Sequence, residues 1–150
     1  GDSFKVAADD LRYANGINVS PDMSHIYVAQ TTGQAVRTYA RDVLSGALKV
    51  QGDFEIPSGL DNIDVAPNGD LWVADHPKLL SFLGYARDPS SPSPSQVMRV
   101  RVEKSLPVEA VPVYTNLGEQ IGAASVGAVA GKHLLIGSVF DPKILDCTLP

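Results

Sequence analysis

The chain has 150 residues, of which 44% are hydrophobic and 19% charged, and its formal net charge is −5. This composition is typical of a globular protein, and the acidic balance argues against a nucleic-acid partner, which selects basic surfaces. The apolar runs stay well below the roughly 18 residues of a membrane-spanning helix, so no transmembrane segment is predicted. No Cys/His spacing of the zinc type occurs, and Cys147 is the single cysteine of the sequence.

Short β-strands are predicted along the whole chain, because Val, Ile and Tyr cluster in short runs between Gly, Pro, Asn, Asp and Ser. No window of helical length has a clear 3.6-residue apolar period, so we expect little helix and an all-β fold. The predicted strands cover residues 4–8, 17–20, 25–29, 35–39, 63–65, 71–74, 79–85, 96–102, 110–114, 124–129 and 134–139.

A hairpin pattern repeats in the chain. Residues 15–29 and 62–74 each read as a strand, a Pro-Asp or Pro-Asn-Gly turn and a second strand, and residues 125–137 form a weaker third copy. The first two copies lie about 45 residues apart, which is the period of a β-propeller blade. The length covers about three blades and the sequence starts at Gly1, so we expect one partial propeller over residues 1–150, a piece of a larger protein.

The stretch 88–95, Asp-Pro-Ser-Ser-Pro-Ser-Pro-Ser, lies in the longer interval between the second and third copies of this repeat. Its prolines cannot donate to a central sheet ladder, so we expect a surface loop between strands. The loop lengthens a blade and does not separate two domains.

Oxygen-bearing side chains stand at the start of the inner strands. Asn15 begins the first hairpin copy, and Asp61 and Asn62 begin the second. Residues at matching strand starts converge near a propeller axis, and one carboxylate with two amide oxygens suits a hard cation such as Ca²⁺. The alternative is local: Asn and Asp before a strand commonly make turn hydrogen bonds.

His76 follows the second strand of the second hairpin, in the sequence Asp75-His76-Pro77. It is a candidate general base or substrate contact. The alternative is a histidine that only makes hydrogen bonds within its loop.

Several of these motifs, in this order, resemble the C-terminal part of the paraoxonase/arylesterase family. The similarity covers nearly the whole chain, and the ordered series is far more specific than any single motif. The residues that carry it are 14–22 (ANGINVSPD), 27–29 (YVA), 61–65 (DNIDV), 69–73 (GDLWV), 76–77 (HP), 96–100 (QVMRV) and 134–140 (LLIGSVF).

The resemblance implies a six-bladed propeller with two calcium ions in its central tunnel, one structural and one catalytic, and hydrolysis of lactones and aryl esters. It implies that Asn15, Asp61 and Asn62 are ligands of the catalytic Ca²⁺ and that His76 lines the active site. It further implies that the substrate pocket is walled by Val139 and Phe140. An extracellular location is favoured by the same resemblance.

The chain also departs from the family pattern. The remaining calcium ligands and the water-activating histidines of the family belong to its N-terminal half, and Asp75 replaces a free cysteine of the mammalian members. Cys147 matches a cysteine that the family pairs with an N-terminal one. We therefore expect the N-terminal half of the propeller as partner and little activity from this chain alone. The competing interpretations are a non-catalytic propeller that binds a protein, and an enzyme similar to strictosidine synthase or gluconolactonase.

Overall fold

The computed structural model describes residues 3–150 and contains, within them, three antiparallel sheets and one short helix. Strands follow one another in chain order across each sheet, as short loops between antiparallel neighbours require.

The first sheet contains β1 (Ala14–Val19), β2 (His25–Gln30), β3 (Ala35–Arg41) and β4 (Leu48–Glu55). The second contains β5 (Gly59–Val65), β6 (Leu71–His76), β7 (Ser95–Glu103) and β8 (Leu106–Asn116). The third contains β9 (Ala124–Ala130), β10 (His133–Ser138) and β11 (Ile144–Thr148), and the helix α1 (Leu79–Tyr85) lies between β6 and β7.

The three sheets pack side by side in chain order, and the first strand of each sheet takes part in these contacts. Strand β5 contacts β1 on one side and β9 on the other, so the three first strands are the inner strands of three consecutive blades. The predicted all-β class and partial propeller are confirmed, with the third blade having three strands within the described residues where four were expected.

The inner part of the second blade is buried on both faces because it lies between the other two blades, whereas its outer strand β8 is largely exposed. Every residue of β6 is buried, which explains its nearly continuous apolar sequence. Alternate residues of β6 point into different cores: Leu71 and Val73 pack toward the first blade, and Trp72 and Ala74 pack toward the third.

Two predicted strands are wrong. Residues 4–8 form no strand within the described range, and Phe4 is fully exposed. Residues 79–85 form α1, because Leu79, Phe82 and Leu83 have the i, i+3, i+4 spacing of a helix face and the stretch has no β-branched residue.

Two outer strands, β4 and β11, were not predicted. Both lie at the edge of a sheet and are mostly exposed, so their apolar pattern is weak, and in β11 only Leu145 and Cys147 pack inward.

The connection from α1 to β7 contains the Pro/Ser-rich stretch. Residues 88–92 are exposed, whereas the side chains of Ser93 and Ser95 are buried and Ser95 begins β7. Among residues 3–150, no helix has the length and apolar character needed to cross a membrane.

Candidate functional site

The inner strands share a β-bulge at the same end. In β1, Asn15 and Gly16 stand between the paired residues Ala14 and Ile17. In β5, Asp61 and Asn62 stand between Leu60 and Ile63 in the same way. A bulge places two consecutive residues opposite one and turns their side chains away from the regular pleat. The register therefore makes Asn15 equivalent to Asp61 and brings both to one end of the blades.

Gly16 allows the two bulges to approach each other. A Cβ atom at this position would lie 2.5 Å from the Asp61 carbonyl oxygen and 2.6 Å from the Asn62 Cα. These atoms belong to backbone, which cannot give way as the end of a flexible side chain can. The Thr31 hydroxyl adds a second contact between the first and second blades, since it donates to the Leu60 carbonyl over 2.6 Å.

The three predicted metal ligands are brought together by these contacts. Asn62 Nδ2 donates to Asp61 Oδ1 over 3.1 Å and to the Ser125 carbonyl of β9 over 2.9 Å. Asn15 Nδ2 is 3.3 Å from the hydroxyl of Thr31. Both amides therefore use their nitrogen within the protein. Within residues 3–150, no hydrogen bond is made to either amide oxygen.

This donor set suits a hard cation. Asp61 is buried, and within residues 3–150 its carboxylate pairs with one amide and one imidazole and with no Lys or Arg. Two amide oxygens and a carboxylate without a guanidinium or ammonium partner are ligands of the kind that Ca²⁺ prefers. They form part of a coordination sphere, because Ca²⁺ takes about six to eight oxygens. Among the described residues 3–150, no group of three or more His, Cys, Asp or Glu side chains is arranged to hold a metal.

His76 lies against Asp61 and is enclosed. Its Nε2 is 3.2 Å from Asp61 Oδ2, and the residue is only 3% exposed. The Phe82 ring stacks on the imidazole at a centroid distance of 4.0 Å and an interplanar angle of 17°. Nδ1 is buried, and within the described part of the chain it has no hydrogen-bond partner. This geometry suits an orienting contact to Asp61 better than proton exchange with water.

A cavity of about 200 Å³ opens beside these residues. One wall is polar and comes from the inner strands and from the ends of β2 and β6, and the other is apolar and comes from α1. The cavity is lined by Tyr13, Asn15, Thr31, Thr32, Asp61, His76, Leu79, Phe82 and Leu83. It can hold the apolar part of a small ligand against α1 while a polar group meets the oxygens of Asn15 and Asp61.

The predicted pocket residues Val139 and Phe140 are not among the residues that line this cavity. Both are exposed, at 41% and 45%. Phe140 packs behind the cavity wall, with its ring centroid 6.2 Å from that of Phe82.

A second carboxylate, Asp75, is fully buried next to His76 in β6. The Ser58 hydroxyl donates to its Oδ1, and Oδ2 has no hydrogen-bond partner among residues 3–150. Burial raises the pKa of Asp75 to about 6, although the Ser58 hydrogen bond opposes this shift. The strand alternation directs Asp75 toward the core between the first two blades rather than into the cavity.

Comparison with known proteins identifies the family of this chain. The sequence profile of the Arylesterase family matches residues 1–149. The chain belongs to this family. It is 32% identical over 146 residues to human serum paraoxonase/arylesterase 1 and, equally, to human serum paraoxonase/arylesterase 2. It is 33% identical over 150 residues to rabbit (Oryctolagus cuniculus) serum paraoxonase/lactonase 3. These matches cover 97% of this chain and 40% of each relative, so the chain spans well under half of their length.

Solved structures agree on the fold of this arylesterase-family chain. A luciferin-regenerating enzyme is similar at a TM-score of 0.59 and 16% identity, covering 95% of this chain and 45% of that protein. A candidate 6-phosphogluconolactonase of Bacteroides uniformis is similar at a TM-score of 0.56 and 11% identity, covering 89% and 39%. At these identities the likeness concerns architecture.

The sequence did not reveal the cavity residues Tyr13, Thr31 and Phe82. The sequence did contain a helical signal at Phe82, because Leu79, Phe82 and Leu83 have the spacing of one helix face. Tyr13 and Thr31 had no such signal, because each joins the site through the approach of separate strands.

Proposed function

We propose that this chain supplies one half of the propeller of a calcium-dependent hydrolase of lactones and aryl esters. The observation that carries the proposal is the convergence of Asn15, Asp61 and Asn62 beside an apolar cavity, with both amide oxygens unused, in a chain of the Arylesterase family. The names of the relatives, paraoxonase/arylesterase and paraoxonase/lactonase, support the substrate classes.

Each residue has a distinct part in this proposal. Asn15, Asp61 and Asn62 would hold Ca²⁺ through their oxygens. When bound, the ion would act as a Lewis acid toward an ester or lactone carbonyl and stabilise developing negative charge on its oxygen. His76 orients the Asp61 carboxylate through Nε2. Leu79, Phe82 and Leu83 hold the apolar part of the substrate and exclude water from that side.

The isolated chain is expected to be inactive or nearly so. Three oxygen ligands are fewer than Ca²⁺ requires, and water fills only part of the deficit. We therefore propose that the other half of the propeller provides the remaining ligands and the group that activates water, and that it covers the open blade faces. Isothermal calorimetry with CaCl₂ on the 150-residue chain should give weak binding at most, and tight binding with full esterase turnover would contradict this.

The complete propeller that contains this chain provides the main test. We expect hydrolysis of 4-nitrophenyl acetate and of a simple δ-lactone, both abolished by a calcium chelator and restored by CaCl₂. Asp61→Ala should weaken calcium binding more than Asn15→Ala or Asn62→Ala, because it removes the only anionic ligand of the three.

Asn18→Ala is a matched control for these variants. Asn18 is on the same inner strand as Asn15, and its amide is committed to structure, since Nδ2 donates to the Ile63 carbonyl over 3.1 Å. Calcium binding should be unchanged in this variant. Hydrolysis that is indifferent to the chelator would refute the calcium site, and inactivity with both substrates would favour a non-catalytic binding propeller.

A further inference from the structure

The helix α1 depends on the rest of the molecule for its position over the cavity. It has only seven residues, its N-cap Lys78 makes no side-chain capping bond within the described chain, and its first turn contains no acidic residue. A helix of this length is marginal in water without tertiary contacts. Because Leu79, Phe82 and Leu83 form the apolar wall of the cavity, whatever fixes α1 also fixes that wall.

Tyr85, the last residue of α1, provides such a contact. Its side chain is buried, and its hydroxyl donates to Asp141 Oδ1 in the loop after β10. Asp141 Oδ2 accepts a 3.1 Å hydrogen bond from the Gly122 amide, and Lys143 Nζ is 3.3 Å from the same oxygen. The hydrogen bond to Asp141, together with burial, raises the pKa of Tyr85 to about 12. The hydroxyl is therefore a donor at all physiological pH values.

The Tyr85 ring packs closely against residues of the third blade and of the loop that leads into it. A Cβ atom on Gly122 would lie 2.9 Å from Tyr85 Cζ, so the backbone of this loop packs directly on the ring. Phe140 meets the ring edge-on at a centroid distance of 5.5 Å and also contacts Phe82, whose ring covers His76. A continuous series of packed rings thus links Asp141 on the third blade to His76 on the second.

We propose that Tyr85 and Asp141 are a positioning pair that fixes α1 across the boundary between the second and third blades, and thereby sets the affinity of the cavity for the apolar group of the substrate. The role in substrate affinity rests on the hydrolase function proposed above. The pair does not touch the reacting atoms, so it should affect substrate binding and leave the chemical step largely intact.

Hydrogen exchange on the chain tests the positioning role without any activity measurement. In Tyr85→Phe, the α1 amides of Phe82 and Ala86, which bond to the carbonyls of Lys78 and Phe82, should exchange at least about tenfold faster relative to the β6 amides. Asp141→Ala should do the same, and Asp141→Asn, which keeps an acceptor oxygen, should restore at least part of the protection.

Tyr27→Phe is the matched control. Tyr27 is also a buried tyrosine whose hydroxyl makes one hydrogen bond, to the Ser105 carbonyl at the hairpin-turn end of the blades. This variant should leave the α1 amides unchanged relative to those of β6. Equal α1 protection in Tyr85→Phe and Tyr27→Phe would overturn the proposal.

Kinetics of the complete propeller test the second half of the inference. For 4-nitrophenyl acetate, Tyr85→Phe should raise KM about threefold to tenfold and change kcat by less than about twofold. A fall in kcat at constant KM would overturn the affinity role. If the unmodified protein hydrolyses neither ester nor lactone, the proposed function fails, whereas the exchange experiment still decides whether the pair positions α1.

Discussion

The two ends of the same hairpins use the same kinds of residue in opposite ways. At the turn end, each carboxylate accepts several hydrogen bonds from the protein. Asp22 accepts hydrogen bonds from the Ser20 hydroxyl (2.5 Å) and from the amide (3.0 Å) and hydroxyl (2.8 Å) of Ser24. Asp70 accepts from Arg99 at 2.6 and 2.9 Å and from the Val102 amide at 3.2 Å.

At the cavity end, comparable groups have fewer partners. Asp61 is buried with one amide and one imidazole as neighbours, and the oxygens of Asn15 and Asn62 accept no hydrogen bond within residues 3–150. Asn15 and Asn62 are exposed, so their amide oxygens are accessible to water or to a bound ligand, whereas the turn-end carboxylates are already occupied by protein donors. The candidate site therefore differs from the turns in how many hydrogen bonds its side-chain oxygens accept, and not in the types of residue present.

The largest expected effect concerns the contact that builds the cavity end. Gly16→Ala places a Cβ atom against the backbone of Asp61 and Asn62 and should reduce the free energy of unfolding by about 3 kcal/mol or more. Urea denaturation followed by circular dichroism measures this.

Gly84→Ala is the matched control, because a Cβ atom there meets no described atom within 4 Å and the residue lies within α1. It should be neutral or stabilising by up to about 1 kcal/mol. Equal stabilities of the two variants would disprove the close approach of β1 and β5.

The second prediction contrasts two carboxylates whose pKa values shift in opposite directions. The pKa of Asp75 is raised to about 6 by burial, so its ionisation disfavours the folded state as the pH rises through 6. Asp75→Asn should therefore increase the free energy of unfolding at pH 8, by about 1–3 kcal/mol, and this gain should vanish near pH 4. Urea unfolding at both pH values measures the difference.

Asp22 provides the opposite case. Hydrogen bonds from Ser20 and Ser24 lower its pKa to about 2, so its stabilising contribution is present at neutral pH and is lost as the pH falls toward 2. Asp22→Asn should therefore destabilise the protein at pH 8. Loss of stability in both variants at this pH would refute the contrast.

A third prediction compares Asp61 and Asp70, a buried aspartate from each end of the second hairpin, in stability and in calcium response. Asp70→Asn should lose about 1–2 kcal/mol of stability, because it removes the charge that meets Arg99. Asp61→Asn should cost less without calcium, since no Arg or Lys faces this carboxylate, and it should abolish any increase of Tm produced by CaCl₂ in the complete propeller. If the increase of Tm with CaCl₂ persists in Asp61→Asn and disappears in Asp70→Asn, Asp70 and not Asp61 is the calcium ligand.

The smallest effect separates two asparagines of β1. Asn18→Ala should cost about 1 kcal/mol, because its side chain links β1 to β5 through the Ile63 carbonyl. Asn15→Ala should cost less, because its single hydrogen bond, to Thr31, is long. Thermal unfolding gives the stabilities, and calorimetry should show weaker calcium binding only for Asn15→Ala.

Much of the fold could be predicted because its signals are local. Alternating apolar residues and Pro-Asp or Pro-Asn-Gly turns predicted β1, β2, β5 and β6, whose hairpins are the observed ones. The short, mainly apolar stretch that became α1 could not be assigned in the same way, since a mainly apolar run of seven residues fits a buried strand or a helix and only its packing decides. The edge strands β4 and β11 were missed because mostly exposed strands bury few apolar residues and so have a weak sequence pattern.

By itself, the sequence determined the class of the protein, its three repeated hairpins and the candidate ligands Asn15, Asp61 and Asn62. These features depend on turn residues, strand period and motif order, which can be recognised from residues that are neighbours in sequence. The tertiary structure alone decided the bulge register, the approach of β1 and β5 at Gly16, the enclosure of His76 under Phe82 and the contact of Tyr85 with Asp141. Each of these joins residues from separate strands or blades. Their distances depend on how sheets pack, and no short stretch of sequence contains that information.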